Sequence, residues 1–178
     1  MKIIAAALAV VTVLGSPALA QTRTREAPFS HFYIYGEYDY YTDSGAARGG
    51  GGGLGWNFNR YLGLQAGAEF LSSSYYGIAY ANTDATLVYG EAKLSWPVMD
   101  SLSIYASAGL AHADATSNFN TPYYPSPVYI TSRSSTGYRI GVGAEYWFSR
   151  HWGLRASWHQ HNALGVGSDL GAGIAFRF

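Results

Sequence analysis

Two histidines near the C-terminus have the side chains best suited to metal or acid–base chemistry. The segment WHQHNALG places His159 and His161 two residues apart, and Asp169 follows in the next apolar segment. Residues at i and i+2 of an extended chain point to one side, so the pair offers two ligands to a metal ion. The spacing supplies no assured third ligand. The sequence therefore favours structural roles, with His159 as an interior polar group and His161 in a loop, and it predicts no metal and no cofactor.

The charged residues occur singly, each inside a segment in which apolar and polar residues alternate. In FYIYGEYDYY, for example, Glu37 and Asp39 alternate with aromatic residues, which is the period of a strand with one apolar face. Acids and bases on the polar faces are nearly balanced, and an unpaired buried charge is strongly destabilising. We predict that these residues pair inside a narrow interior, a structural role that we favour over acid–base catalysis. The predicted network comprises Glu37, Asp39, Glu69, Glu91, Lys93, Arg139, Glu145, Arg155 and Arg177.

The first 20 residues have the features of an export signal. Lys2 precedes an apolar run from Ile3 to Leu14, and the small-residue pattern that ends at Ala20 marks the cleavage site. The run is too short to span a bilayer as a helix, which needs about 20 residues. We predict a signal peptide over 1–20, a short periplasmic segment over 21–28 and one domain over 29–178. The absence of cysteine excludes a disulfide scaffold, and the balanced charge argues against a nucleic-acid partner.

Eight segments alternate in this way, and each is close to the 9 to 11 residues with which a tilted strand crosses a bilayer. The connections between them alternate between short and long. We predict an all-β fold, an eight-stranded antiparallel up-and-down transmembrane β-barrel, and the alternative is a soluble β-sandwich. The predicted short turns are 57–60, 97–101 and 149–151, and the predicted loops are 42–47, 72–84, 113–134 and 161–168.

Large aromatic residues gather at the two ends of the predicted strands. Such positions are typical of the aromatic girdles at the two interfaces of a membrane barrel, whereas a sandwich has no reason to hold them on an outward face. The girdle near the short turns comprises Trp56, Phe58, Trp96, Phe148, Trp152, Phe176 and Phe178, and the other comprises Tyr38, Tyr40, Phe70, Tyr138 and Trp158.

Three stretches carry a resemblance to a known family: GYRIGVGAEYWFSRHWGLRASWHQ, GWNFNRYLGLQAGAEF and the final GAGIAFRF. They resemble the small outer-membrane proteins of the OmpA/OmpX type, in the outer membrane protein β-barrel domain family. The resemblance implies an integral monomer in the bacterial outer membrane, surrounded by the lipid bilayer and lipopolysaccharide. It also implies that the insertion machinery reads the last strand, which ends in Phe178. Since that strand ends the sequence, tethering to the cell wall is not expected.

The function expected from these features is non-enzymatic: support of envelope integrity and display of surface loops. The alternatives are an adhesin that acts through loop 113–134, a narrow channel and a lipid A-modifying enzyme. In the loop, Tyr123, Tyr124 and Tyr129 offer contact area for a host or surface ligand, although a solvated loop without a fixed partner is also consistent. The histidine segment faintly resembles the lipid A deacylase family, but His161 stands where that family has its serine nucleophile.

A run of five glycines, in RGGGGGLGWNFN, lacks the lysine and hydroxyl residue that end a phosphate-binding loop. It leads into Leu54 and Trp56 with the even-numbered apolar phase of the other segments. We predict that it is the second strand and that its odd-numbered glycines leave room in the interior for Tyr33 and Tyr35. On this interpretation Gly53→Trp should obstruct folding more than Gly52→Leu on the lipid face.

Overall fold

The chain forms one closed barrel of eight antiparallel strands in the computed structural model, which describes residues 31–42, 48–76, 80–120, 129–163 and 167–178. Each strand pairs with its neighbours in sequence, and the first also pairs with the eighth, which confirms the predicted up-and-down fold. The predicted signal peptide and periplasmic segment lie outside the described residues. The described part of the chain contains no helix long and apolar enough to cross a membrane. The strands are β1 (His31–Tyr41), β2 (Arg48–Asn57), β3 (Leu62–Tyr76), β4 (Tyr80–Pro97), β5 (Leu102–Asn120), β6 (Tyr129–Trp147), β7 (Trp152–His161) and β8 (Gly167–Arg177).

One rule of parity decides where each strand side chain points. Cross-strand partners always share parity, as in the pairs Tyr33 with Gly55 and Glu145 with Arg155. Directly opposite residues of a sheet lie on the same face, so one parity faces the interior in all strands. Odd-numbered residues line the lumen, and even-numbered residues form the apolar outer face.

The strands differ strongly in length. The strands β1, β2, β7 and β8 have 10 or 11 residues, whereas β3 to β6 have 15, 18, 19 and 19. The predicted loops 72–84 and 113–134 are therefore wrong over most of their length, because strand pairing continues to Tyr76, Tyr80, Asn120 and Tyr129. We call the part of β3 to β6 that extends beyond the shorter strands, residues 72–76, 80–86, 112–120 and 129–136, the wall. The barrel end that carries the wall is the wall end, and the opposite end, with three short turns, is the turn end.

The outer face changes from apolar to polar near the base of the wall. On β3 the change falls between Phe70 and Ser72, and on β5 between Leu110 and His112. The same change falls at Thr86 on β4 and at Thr136 on β6, which are cross-strand partners of Phe70 and His112. The apolar band thus has a defined upper edge, and the side chains described on the outer face of the wall above it are polar with the exception of Ile130.

Four lumen tyrosines lie against glycines of a neighbouring strand. An added Cβ at Gly53 would meet the Tyr35 hydroxyl oxygen at 2.6 Å, and one at Gly67 would meet the Tyr89 hydroxyl oxygen at the same distance. In each case tyrosine and glycine are cross-strand partners, so the missing side chain is what lets the ring lie over the strand. Among the described residues these pairs are Tyr33 on Gly55, Tyr35 on Gly53, Tyr89 on Gly67 and Tyr105 on Gly143.

The outward-facing Gly52 is less open than the sequence suggests. An added Cβ there would meet the carbonyl oxygen of Tyr35 at 2.6 Å, because the two strands approach closely. Gly52→Leu is therefore a poor reference substitution. Gly90, on the outer face of β4, has no atom within 4 Å of an added Cβ and provides a better one.

We expect Gly53→Trp to prevent or strongly impair folding, since the indole must displace the Tyr35 ring from a filled interior. The cost should reach or exceed about 3 kcal/mol, the upper part of the range for overpacked cores. The measurement is the folded fraction after refolding into detergent, from the heat-dependent shift in gel mobility. Gly90→Leu is the matched control and should fold like the wild type. Equal folding of both variants would contradict the assigned packing.

Candidate functional site

The lumen is filled by charged and aromatic side chains. Arg139, Asp39 and Asp169 are 0% exposed, and Lys93 is 1% exposed, although all lie inside a barrel whose two ends meet water. Eight strands enclose an interior just wide enough for side chains to fill it. The lumen in this structure is a packed polar core, and its possible activities depend on how the charges are paired.

The half of the lumen nearer the turn end is organised around Arg155 on β7. Its Nε lies 2.8 Å from Glu37 Oε1, and one of its terminal nitrogens lies 3.4 Å from Glu145 Oε1. Glu145 also accepts a 2.7 Å hydrogen bond from Lys93 Nζ, which donates to the hydroxyl of Tyr33 as well. Strands β1, β4, β6 and β7 are thus joined through one chain of charge-assisted hydrogen bonds.

The other half is organised around Arg139 on β6. Its guanidinium donates to Glu69 and lies 3.5 Å from Glu91 Oε1. Glu69 also accepts a 2.8 Å hydrogen bond from the hydroxyl of Tyr41. Gln65 connects the two halves, because its amide donates to Glu91 Oε2 at 2.6 Å and its oxygen accepts from Arg155.

The lumen tyrosines also contact the cations through their ring faces. The Arg139 guanidinium carbon lies 3.9 Å from the centre of the Tyr89 ring, and that of Arg155 lies 4.2 Å from Tyr35 and 4.8 Å from Tyr105. A cation over an aromatic face is stabilised most when water is excluded. The same rings that lie over glycines therefore replace part of the solvation that the buried cations have lost.

Two residues of the predicted network are placed differently from the other seven. Neither oxygen of Asp39 has a hydrogen-bond partner among the described residues. Arg177 lies with its guanidinium 3.9 Å from the centre of the Trp147 ring and forms no ion pair within the described part of the chain. Trp147, which the sequence analysis missed, lies at the turn end against the cluster of Tyr33 and Tyr35. Its odd number was the signal that could have identified it as an interior residue.

The two histidines both lie inside the barrel. His159 Nδ1 is 3.0 Å from Asp169 Oδ1, and the imidazole is 1% exposed. The prediction that His161 is a loop residue is wrong, because it ends β7 and is buried beside the Tyr41 ring. The described residues contain no group of three or more histidine, cysteine or acidic side chains arranged to hold a metal ion. Ser157 also faces inward and donates to Glu37.

The predicted girdle residues lie on the outer face or in the turns. Trp56 stacks on Phe32 with ring centres 5.3 Å apart, and Phe176 contacts both Trp152 and Phe178. Trp158 and Phe176 are partly exposed. The exposed members are Trp56, Phe58, Trp96, Phe148, Trp152, Phe178, Tyr38, Tyr40, Phe70 and Tyr138.

The wall has a long edge that no described strand covers. Pairing of β6 with β7 ends at Arg139 and His161, after which Asn162 exchanges hydrogen bonds with the backbone of Tyr138, and Asn162 and Ala163 lie against Gly137. Above that point β6 pairs with β5 alone, which leaves the backbone edge of 129–136 without a neighbouring strand in the described part of the chain. Tyr123 and Tyr124 lie outside the described residues, and Tyr129 is the first residue of β6.

Replacement of Arg139 by methionine should lower the free energy of unfolding by about 3–5 kcal/mol, because Glu69 and Glu91 would keep buried charges without their cation. The measurement is urea-induced unfolding in lipid vesicles. Arg150→Met, which removes an exposed cation from a turn, is the control and should leave the midpoint unchanged. A midpoint for Arg139→Met equal to that of the control would show that the network does not stabilise the barrel.

Comparisons with known proteins agree with this architecture. The sequence matches the family described as outer membrane protein beta-barrel domain over residues 6–178. Outer membrane protein A of Yersinia pseudotuberculosis is 28% identical over 204 aligned residues, which cover 100% of this chain and 56% of the relative. Outer membrane protein A of Serratia marcescens is 28% identical, covering 73% of this chain and 39% of the relative. The chain spans about half the length of these relatives or less.

Solved structures show the same fold at low sequence identity. The N-terminal β-barrel domain of Pseudomonas aeruginosa OprF has a TM-score of 0.59 and 21% identity, with coverage of 83% of this chain and 97% of that chain. The attachment invasion locus protein of Yersinia pestis, in complex with the heparin analogue sucrose octasulfate, has a TM-score of 0.58 and 18% identity, with coverage of 84% and 97%. With its closed barrel, its apolar outer band and a family match over nearly its whole length, the chain belongs to the outer membrane protein beta-barrel domain family and is an integral protein of the outer membrane.

Proposed function

We propose that this chain is a non-enzymatic outer-membrane protein that supports envelope integrity and presents its wall to the outside of the cell. In this orientation the turn end faces the periplasm, as short turns do in barrels of this kind. The observation that carries the proposal is the wall itself: β4, β5 and β6 have 18 or 19 residues, although 9 to 11 suffice to cross the bilayer. The excess length raises a sheet above the membrane surface.

The wall is suited to bind another polypeptide along the edge of β6. The segment 129–136 is about 26 Å long at the usual rise per residue and carries one charge, Arg133, and no proline. Natural edge strands normally carry several charges, prolines or bulges that prevent pairing, and an edge with a single charge and no proline is less protected against an added strand. Ile130 is 66% exposed on this segment and offers an apolar contact. This proposal assigns adhesion to the edge of β6 instead of to the loop 113–134 as a whole.

The packed lumen supports an anchoring role over a conducting one. A channel needs a continuous hydrated path, whereas Arg139, Lys93 and Tyr33 are at most 1% exposed in the middle of this lumen. A structural role is also favoured over hydrolysis of a lipid ester. The candidate catalytic side chains, Ser157, His159 and His161, are buried in the lumen and face away from the lipid. We extend the proposal to a monomer whose last strand, with Phe176 and Phe178, is recognised by the insertion machinery.

A pair of truncations separates the two parts of the proposed function. In one variant Asn-Gly replaces residues 115–133, so that Asp114 and Ser134, which already pair, flank a two-residue turn. In the other, Asn-Gly replaces 74–82 between Ser73 and Thr83. The first removes the free edge of β6, and the second is a matched control that shortens the opposite side of the wall.

In a deletion strain, both truncated proteins should restore resistance to bile salts and detergent, because each keeps the barrel. Attachment of bacteria to cultured epithelial cells should fall by at least about tenfold with the 115–133 truncation only, since many copies bind together and their avidity is lost. Equal attachment by both variants would reject binding through the β6 edge. Wild-type sensitivity to bile salts in the deletion strain would reject the envelope role.

A further inference from the structure

One carboxylate in the lumen lacks an ion-pair partner within the described part of the chain. Asp39, on β1, is 0% exposed, and neither of its oxygens has a hydrogen-bond partner among the described residues. Three acids, Glu69, Asp169 and Glu37, act on it electrostatically, against one cation, Arg139. Arg139 already donates to Glu69. A buried carboxylate in such surroundings is strongly destabilising unless another positive charge accompanies it.

Negative charge is in excess in the half of the lumen around Arg139. The half around Arg155 is balanced, because its two carboxylates, Glu37 and Glu145, face Arg155 and Lys93. Around Arg139 the carboxylates outnumber the positive groups by two, even when the histidine of this half is protonated. The carboxylates are Asp39, Glu69, Glu91 and Asp169, and the positive groups are Arg139 and His159. One divalent cation would balance this difference.

Oxygen atoms from two strands converge beside Gly171 on β8. An added Cβ at this glycine would lie 2.5 Å from Ser157 Oγ, 2.6 Å from Asp39 Oδ1 and 3.7 Å from the carboxyl carbon of Glu37. The missing side chain therefore lets these oxygens approach one another over the strand. Ser157 donates its hydrogen to Glu37, so the lone pairs of its own oxygen remain available to a cation.

Asp169 adds a second carboxylate with a free oxygen. Its Oδ1 lies 3.0 Å from His159 Nδ1, whereas its Oδ2 has no hydrogen-bond partner among the described residues. Asp39 pairs with Gly171, so Asp39 and Asp169 are diagonal neighbours on the lumen face of β1 and β8. Such neighbours lie about 7–8 Å apart, a separation that two carboxylates and one ion between them can span.

We propose that these oxygens bind one Ca²⁺ ion, with Asp39, Asp169 and Ser157 as its protein ligands. Calcium takes oxygen ligands in irregular geometry, accepts a bidentate carboxylate and completes its shell with water. Two carboxylates and one hydroxyl are fewer than the three acidic or histidine side chains of a tightly held metal ion. The dissociation constant should therefore be about 10⁻⁴–10⁻³ M, as in extracellular calcium modules. The site does not involve the β6 edge, and its test needs no host cell.

The test compares urea-induced unfolding of the protein after refolding into phosphatidylcholine vesicles with Ca²⁺ or with a chelator, at one pH and one ionic strength. A ligand that binds only the folded state stabilises that state by mass action. Ca²⁺ at about 10 mM should therefore lower the unfolding equilibrium constant of the wild type by about 10- to 100-fold. Refolding in the presence of the ion lets it enter before the barrel closes around the buried site.

Two matched substitutions locate the effect. Asp39→Asn keeps the size of the side chain and removes its charge, so this variant should fold and lose the response to Ca²⁺. Asp100→Asn makes the same change in an exposed turn at the turn end and should respond as the wild type does. Native mass spectrometry of the refolded proteins should find one Ca²⁺ ion on the wild type and on Asp100→Asn, and none on Asp39→Asn.

Three results would overturn the proposal. If Asp39 holds a proton in place of an ion, Ca²⁺ leaves the unfolding equilibrium constant of the wild type unchanged. If Asp39→Asn responds as strongly as the wild type, the ion binds elsewhere or acts on the lipid. Equal stabilisation by Mg²⁺, which requires near-octahedral geometry, would contradict a site that selects Ca²⁺.

Discussion

Closure of eight strands creates a lumen that cannot expand and in which unpaired charge is strongly destabilising, and the arrangement of most of its charged side chains follows from that constraint. Arg139, Arg155 and Lys93 lie within it, out of contact with bulk water. Each cation pairs with a carboxylate from another strand and lies over the face of an aromatic ring. Because the partners come from different strands, the network forms completely only when the barrel is closed, which couples formation of the fold to pairing of the charges.

The glycines belong to the same arrangement. A ring such as that of Tyr35 reaches Arg155 only because Gly53, on the neighbouring strand, has no Cβ to lift it. The glycine-rich strand β2 thus forms one side of the cation sites. Glycine weakens a strand considered alone, but here the buried tyrosine ring covers the exposed backbone and compensates for the missing side chain.

The sequence determined the face of each residue but not its partner. Parity placed Glu69 and Arg139 in one interior, yet 70 residues separate them, and only the closed sheet shows that they meet. His161 was assigned to the loop 161–168, although β7 continues through it. The wall was missed because above the membrane both faces of a strand meet water, and residues such as Thr131 to Ser135 lose the alternation that reveals strands.

The raised wall has a consequence for how this surface can vary between related chains. The wall consists of two hairpins, β3 with β4 and β5 with β6, and side chains alternate between the two faces along each arm. A lengthened hairpin therefore keeps every side chain on its own face only if two residues are added to each arm, because a single added residue turns the rest of the arm over and exposes the face that now looks inward. Changes in the height of the wall should come in steps of two residues per arm, about 6.8 Å along the strand. The membrane-embedded barrel would stay unaltered beneath them.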